Sequence, residues 1–78
     1  MARTGEKYFV FRNFGLYLIE ETDENFYLDD YPSCIWLGDD AREGQRLADQ
    51  YNRRLVKEGK VTAERVAQMR GSRTKAGL

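Results

Sequence analysis

The chain has 78 residues, of which 41% are hydrophobic, with thirteen Lys and Arg balancing thirteen Asp and Glu, one Cys, one Pro and no His. This length allows one domain with a thin core, and a single cysteine cannot form an internal disulfide. No apolar run approaches the roughly 20 residues of a membrane span, and the first residues lack the apolar centre of a signal peptide. We therefore expect one cytoplasmic domain over residues 1–78, ordered from about residue 6 to residue 71.

The net charge of zero conceals a strong separation of charge along the chain. Residues 1–19 carry three basic residues against one acid, residues 20–49 carry ten acids against two bases, and residues 50–78 carry eight bases against two acids. The corresponding net charges are +2, −8 and +6. Such asymmetry informs about binding partners rather than about the fold.

The first half of the chain has the composition of β-strands. Residues 8–14 and 16–22 are rich in aromatic and aliphatic side chains, and a glycine between them supplies a turn. An Asp-Glu-Asn turn then precedes a third short apolar run at residues 26–28. These runs predict a β-meander of three strands. Residues 34–37 form either a fourth strand or an extended lead into the following helix.

The second half of the chain predicts two helices. Apolar residues recur at steps of three and four over residues 41–55, with Asp40 as the N-cap and Gly59 as the C-cap. A shorter helix covers residues 62–70 and should stop at the glycine that follows, leaving residues 72–78 as a basic flexible tail. Strands followed by helices define an α+β domain, with an antiparallel sheet of three to four strands and one long and one short C-terminal helix packed on it.

The predicted sheet is apolar on both faces. Alternation places Phe9 and Phe11 on one face and Val10 and Phe14 on the other. One helix of about four turns covers a single face. The other face therefore requires the second helix, a second copy of the chain, or a partner.

Catalytic chemistry has little support in the sequence. Without histidine, Cys34 lacks a base to form its thiolate, and we expect a buried, inert thiol. The pairs at residues 29–30 and 39–40 could share a hard cation, but turn formation and helix capping account for them. The seven glycines form no phosphate-binding loop. We expect no enzymatic activity, no cofactor and no metal site.

Direct nucleic-acid binding is the main alternative function. Residues 62–72 are similar to the first helix and turn of a helix-turn-helix unit, and only a short tail follows them. The aromatic strand at residues 7–11 offers a second route, as a base-stacking surface similar to that of an RNA-recognition sheet. The basic residues expected to contact nucleic acid are Arg53, Arg54, Lys57, Arg65, Arg70, Arg73 and Lys75.

The acidic middle of the chain predicts a protein-docking surface. In a meander, the carboxylates around the second strand and the loop before Pro32 gather at one end of the sheet and repel one another unless a cation is near. Aromatic side chains beside them would anchor a basic partner, while the carboxylates steer it and imitate the phosphates of a nucleic acid. The predicted contact residues are Glu20, Glu21, Asp23, Glu24, Tyr27, Asp29, Asp30, Tyr31 and Trp36.

The charge layout also suggests a class of protein. In size and charge layout the chain is similar to the small inhibitors of host defence that phages encode, anti-CRISPR proteins among them. The resemblance implies a non-enzymatic protein that binds a larger protein and blocks its nucleic-acid-binding site. The alternatives are a small DNA- or RNA-binding regulator and an obligate homodimer of structural role, which would bury the second sheet face against itself. No membrane partner is expected.

Overall fold

A computed structural model describes the backbone of residues 5–76 and the side chains of residues 5–70. Three antiparallel strands form one sheet: β1 (Tyr8–Asn13), β2 (Leu16–Glu21) and β3 (Cys34–Gly38). Two helices follow, α1 (Ala41–Lys57) and α2 (Ala63–Ala76). This element order confirms the predicted α+β class, with three strands before one long and one shorter helix.

The strand order is β2-β1-β3, so β1 lies in the centre of the sheet and pairs with both neighbours. The predicted strand at residues 26–28 is wrong. The Phe26 N–H donates to the carbonyl of Asp23 in a turn, and the Phe26 ring packs against Phe9 with 4.6 Å between centroids. A 3-10 helix then forms over Leu28–Asp30. The third strand is β3, which pairs with β1 rather than with β2 as a meander requires.

The β1-β2 hairpin turns on two residues. Asn13 pairs with Leu16 in the register, which leaves Phe14 and Gly15 as the loop. Both loop residues have positive φ, 56° and 83° respectively. Two consecutive left-handed residues are typical of a type I′ turn, which matches the twist of the flanking strands. Strand β1 therefore ends one residue before the predicted end at residue 14, and Phe14 lies in the turn instead of in the sheet.

Both faces of the sheet are covered by the chain itself. The face with Ile19 and Trp36 lies under α1, because a Cβ on Gly44 would approach Ile19 Cδ1 and Trp36 Cζ3 to 2.6 Å. The other face is closed by the segment between β2 and β3 and by α2. A second copy of the chain is thus not needed to cover it. The buried cluster comprises Phe9, Phe11, Leu16, Leu18 and Phe26 together with Leu55 of α1, and the residues packed against it include Tyr31, Val61, Val66 and Met69.

Helix α1 has both predicted caps. The Asp40 carboxylate accepts hydrogen bonds from the backbone N–H groups of Arg42 at 3.0 Å and Glu43 at 3.4 Å. At the other end, Gly59 adopts φ 76° and donates its N–H to the carbonyl of Val56 at 3.0 Å. A left-handed glycine at this position satisfies carbonyls that the last helical turn leaves without partners. These caps fix where α1 begins and ends.

Helix α2 begins as predicted but extends further. The Thr62 hydroxyl accepts from the Arg65 N–H at 3.1 Å, as an N-cap does. The helix continues to Ala76, so the predicted end at Gly71 is wrong. Glycine ends a helix when it turns left-handed, whereas inside a helix it costs only about 1 kcal/mol relative to alanine. Within the predicted tail, residues 72–76 are helical, and residues 77–78 lie outside the described residues.

Candidate functional site

Acidic residues collect at the end of the sheet where β1 begins and β2 and β3 end. Just before β1, the Lys7 carbonyl accepts from the Thr22 N–H at 2.9 Å, and the Lys7 N–H donates to Asp39 Oδ1 at 3.0 Å. Thr22 and Asp39 therefore flank Lys7 on opposite sides. Since neighbouring strands lie about 5 Å apart, the two flanking segments are separated by about 10 Å. We call this region the acidic end, and its residues are Glu6, Glu20, Glu21, Asp23, Glu24 and Asp39.

Three carboxylates of the acidic end stand outside the ion pairs formed within the described part of the chain. Glu20, Glu21 and Glu24 form no ion pair with any residue in the described part of the chain. Basic side chains are nonetheless close to this end, because Arg42 lines the same surface depression as Glu21 and Lys7 lies between the two acidic flanks. The ion pairs formed among the described residues lie elsewhere, between Lys60 and Glu58 in the loop after α1 at 3.4 Å and between Arg70 of α2 and Asp49 of α1 at 3.0 Å.

The structure brings part of the predicted acidic set together. Glu20 and Glu21 end β2 with side chains on opposite faces of the sheet, and Asp23 and Glu24 follow in the next turn. Asp29 and Asp30 are exposed and lie in the 3-10 helix, within the segment between β2 and β3 that crosses the sheet. That segment reaches the opposite end of the sheet at Ser33, whose hydroxyl donates to the Arg12 carbonyl at 2.9 Å.

The predicted aromatic contacts do not share one surface. Tyr27 is 45% exposed and is available to a partner. Tyr31 instead packs against the core, with ring centroids 4.7 Å from Phe9 and 5.5 Å from Phe26. Trp36 lies on the other face of the sheet, against α1. Of these three predicted anchors, only Tyr27 projects from the segment that carries the acids.

Two residues of the acidic end are missing from the sequence-based prediction. Glu6 stands just before β1, and its carbonyl accepts from the Thr22 hydroxyl at 2.6 Å. Asp39 follows β3 and bonds to Lys7. The sequence offers a signal for Asp39, because an acid directly after a strand lies at the sheet end. That signal becomes usable only once residues 34–38 are known to be a strand beside β1.

A second charged surface lies between the two helices. A groove of about 820 Å³ separates α1 from α2 and combines apolar side chains with basic ones and with Asp49, which pairs with Arg70. Four of the predicted nucleic-acid-binding residues line it: Arg53, Arg54, Lys57 and Arg70. Arg65 lies outside the groove, beside the hairpin, and the side chains of Arg73 and Lys75 lie outside the described residues. The apolar lining consists of Val56, Ala63, Val66 and Ala67.

The aromatic strand cannot serve as a base-stacking surface. Phe9 is 1% exposed and Phe11 is 6% exposed, and their rings stack on each other with centroids 5.0 Å apart. A nucleic-acid base needs an open ring face to stack on, and both rings are enclosed in the core. The predicted base-stacking surface at residues 7–11 is therefore wrong.

The single cysteine, Cys34, is half-buried, and its thiol donates to the Trp36 carbonyl at 3.3 Å.

The structure also bears on a metal site and on a membrane span. Within the described part of the chain, no three His, Cys, Asp or Glu residues come together in a group that could hold a metal ion. No helix in that part is both long and apolar enough to cross a bilayer.

No protein-family model, no curated protein and no solved structure matches this chain. The case for function therefore rests on the two charged surfaces and the geometry that positions them.

Proposed function

We propose that the protein is a non-enzymatic interaction protein that docks its acidic end onto a basic surface of a larger protein. The observation that carries this proposal is the grouping of Glu20, Glu21 and Glu24 without an ion pair to any described residue. Like charges held close together oppose folding, and a cationic partner removes that opposition. Binding is then favoured by carboxylates that no described residue holds in an ion pair.

The spacing of the acidic end suits a surface that normally holds phosphates. Residues on the two flanks of Lys7 lie about 10 Å apart, and neighbouring strand ends about 5 Å apart. A row of negative charge at such intervals resembles the charged backbone of a nucleic acid, which basic grooves recognise largely through electrostatics. The proposed effect of docking is to occupy a nucleic-acid-binding site of the partner, as the phage-encoded inhibitors of host defence do.

An apolar contact adjoins the carboxylates. Tyr27 and Leu28 are both exposed and neighbour each other in the segment after the acidic turn. A tyrosine provides a large, rigid contact area at low entropic cost, while surrounding carboxylates accelerate and orient the encounter. Leu28 belongs to this contact although the sequence analysis did not select it.

The test compares two charge-matched double variants. Glu21→Gln/Glu24→Gln removes two charges from the acidic end, and Glu58→Gln/Glu64→Gln removes two charges from the helical side of the molecule. Each tagged protein is incubated with a nuclease-treated extract of the source organism, and captured proteins are identified. We expect one nucleic-acid-binding protein to be captured by the wild type and the control, lost with the acidic-end variant, and released by added DNA or RNA. Equal capture by both variants, or capture unaffected by nucleic acid, contradicts the proposal.

A further inference from the structure

Phe14 occupies an unfavourable backbone position at the hairpin tip, which consists of Phe14 and Gly15. Its φ of 56° lies in the left-handed region, and it is the only non-glycine residue with positive φ in the described part of the chain. The first loop position of a type I′ turn favours Asn, Asp or Gly, because other side chains crowd the backbone there. A phenylalanine therefore weakens the turn that it forms.

Packing within the domain does not explain this phenylalanine. The Phe14 side chain is 62% exposed, more than any other large hydrophobic residue in the described part of the chain. It belongs to neither the buried cluster nor the side chains packed against it. Backbone strain combined with exposure of an apolar ring is typical of a residue selected for contact with a ligand.

The surroundings of the tip are basic. The Arg65 guanidinium donates from Nη2 to the Phe14 carbonyl at 3.2 Å, which uses one of its five N–H donors. Arg12 is exposed two residues before Phe14, with its Cζ 5.7 Å from the centroid of the Tyr17 ring. Arg65 therefore stands beside the backbone of the tip and Arg12 on the adjoining strand, and each guanidinium can bind an anion.

Further basic side chains line the groove between the helices. Arg65 lies in the first turns of α2, where Ala63 and Val66 line the groove. Arg53 and Lys57 line the groove from α1. Arg65 is about 100° around α2 from Val66 and nearly opposite Ala63 and Ala67, so it faces the tip, and the tip and the groove are separate basic sites on the same helix.

We propose that the hairpin tip binds single-stranded nucleic acid, with an unpaired base stacked on Phe14 and the nearest phosphates held by Arg12 and Arg65, while Arg53 and Lys57 of the groove bind phosphates further along the strand. Aromatic rings stack on unpaired bases with little sequence preference, while Lys and Arg follow the backbone. Duplex bases are already stacked on one another and offer no free face to a single ring. A polyanion also matches the positive charge of the surface.

This inference goes beyond the proposed protein-docking function and uses the opposite end of the molecule. Strand β2 runs from the tip at Leu16 to the acidic end at Glu21. Six strand residues span about 17 Å, so the two surfaces do not overlap. The protein can then hold a nucleic acid at one end and a protein at the other.

The test uses fluorescence anisotropy of labelled oligo(dT) and oligo(rU) of about 20 nucleotides, with a duplex of the same length as comparison, at about 50 mM salt. We expect the wild type to bind the single strands more tightly than the duplex, with affinity that falls steeply as salt rises. Phe14→Asn should weaken binding by about 5- to 150-fold, because it removes one base–aromatic stack. Phe14→Trp should keep binding within about twofold, because the indole stacks equally well. The two oligonucleotides distinguish DNA from RNA as the source of the ligand.

Asparagine is the informative substitution because it suits the left-handed turn. Phe14→Asn should unfold at a temperature no lower than the wild type, so lost binding cannot be attributed to lost folding. Glu21→Gln/Glu24→Gln should retain oligonucleotide binding, which separates this inference from the protein-docking proposal. Undiminished binding by Phe14→Asn, preference for the duplex, or no oligonucleotide binding by the wild type would each overturn it.

Discussion

Asn52 binds the backbone of Tyr17 through both ends of its side-chain amide. Its Oδ1 accepts from the Tyr17 N–H at 2.7 Å, and its Nδ2 donates to the Tyr17 carbonyl at 2.9 Å. Tyr17 lies on β2, which is an edge strand of the sheet. The Asn52 amide therefore takes the place of the neighbouring strand that β2 lacks, and it joins α1 to the sheet edge.

Replacing Asn52 should strongly destabilise the domain. Its side chain is 1% exposed, so Asn52→Leu would leave the N–H and carbonyl of Tyr17 without their amide partner in a buried site. Each unsatisfied buried group costs about 1–3 kcal/mol, so we expect a loss of about 2–4 kcal/mol in the free energy of unfolding. Urea denaturation followed by circular dichroism measures this loss.

A variant on the same helix controls for a simple loss of a side-chain hydrogen bond. Gln45 Nε2 donates to Asp49 Oδ1 at 2.9 Å, in a position that is only half-buried. Gln45→Leu should cost less than about 1 kcal/mol, because solvent replaces the lost bond. Equal effects of Asn52→Leu and Gln45→Leu would show that the edge contact of Asn52 has no special importance.

Gly44 should resist substitution although alanine favours helices. It lies in α1 against the sheet, and a methyl group there would approach Ile19 Cδ1 and Trp36 Cζ3 to 2.6 Å. Alanine gains about 1 kcal/mol in helix propensity, but overpacking of a close contact costs about 1–3 kcal/mol. We expect Gly44→Ala to lower the free energy of unfolding by about 1 kcal/mol, measured in urea.

A double variant identifies the source of that cost. Ile19→Val removes the Cδ1 atom, so Gly44→Ala should be less damaging in the Ile19→Val background than alone. The exposed substitution Gln50→Ala serves as a control for helix propensity without contact. If Gly44→Ala stabilises the domain as Gln50→Ala does, a methyl group at residue 44 meets no close contact, and the expected overpacking against Ile19 and Trp36 is contradicted.

The hairpin tip should become more stable when its aromatic residue is removed. Phe14 has φ 56°, and asparagine adopts this conformation more readily than phenylalanine. Phe14→Asn should therefore raise the free energy of unfolding by about 0.5–1 kcal/mol, since little packing is lost. Thermal denaturation of the isolated domain measures this gain. A clear loss of stability would mean that the ring packs on the domain, and it would remove the strain on which the nucleic-acid inference depends.

The sequence predicts local structure well where short-range signals decide it. The N-cap at Asp40, the C-cap at Gly59 and the turn at Gly15 all form, because each depends on a few neighbouring residues. Prediction from the sequence fails where pairing between distant segments determines which residues form a strand. The sequence predicts a strand at residues 26–28 and leaves residues 34–37 open between a strand and an extended lead, yet only the second run pairs with β1, while the Phe26 ring packs on Phe9.

The same distinction applies to the candidate surfaces. Clustered acids are visible in the sequence because Glu20, Glu21 and Glu24 are near neighbours. The positions of Tyr31 and Trp36 on opposite faces of the sheet depend on the path of the segment after β2, which no local pattern specifies. The role of Phe14 also depends on a backbone angle, and its apolar character in the sequence only indicated a strand.

The acidic end should reduce the stability of the isolated domain, because its carboxylates repel one another. We expect Glu21→Gln/Glu24→Gln to raise the free energy of unfolding by about 0.5 kcal/mol at low salt, and the gain to vanish near 1 M salt, where the screening length falls to about 3 Å. The control Glu58→Gln/Glu64→Gln should give no gain, because Glu58 pairs with Lys60 and Glu64 lies favourably in the first turn of α2. Guanidinium is itself a salt, so urea denaturation at two salt concentrations is the suitable measurement. A less stable acidic-end variant at low salt would show that these carboxylates are compensated within the domain, and the proposed docking would lose its driving force.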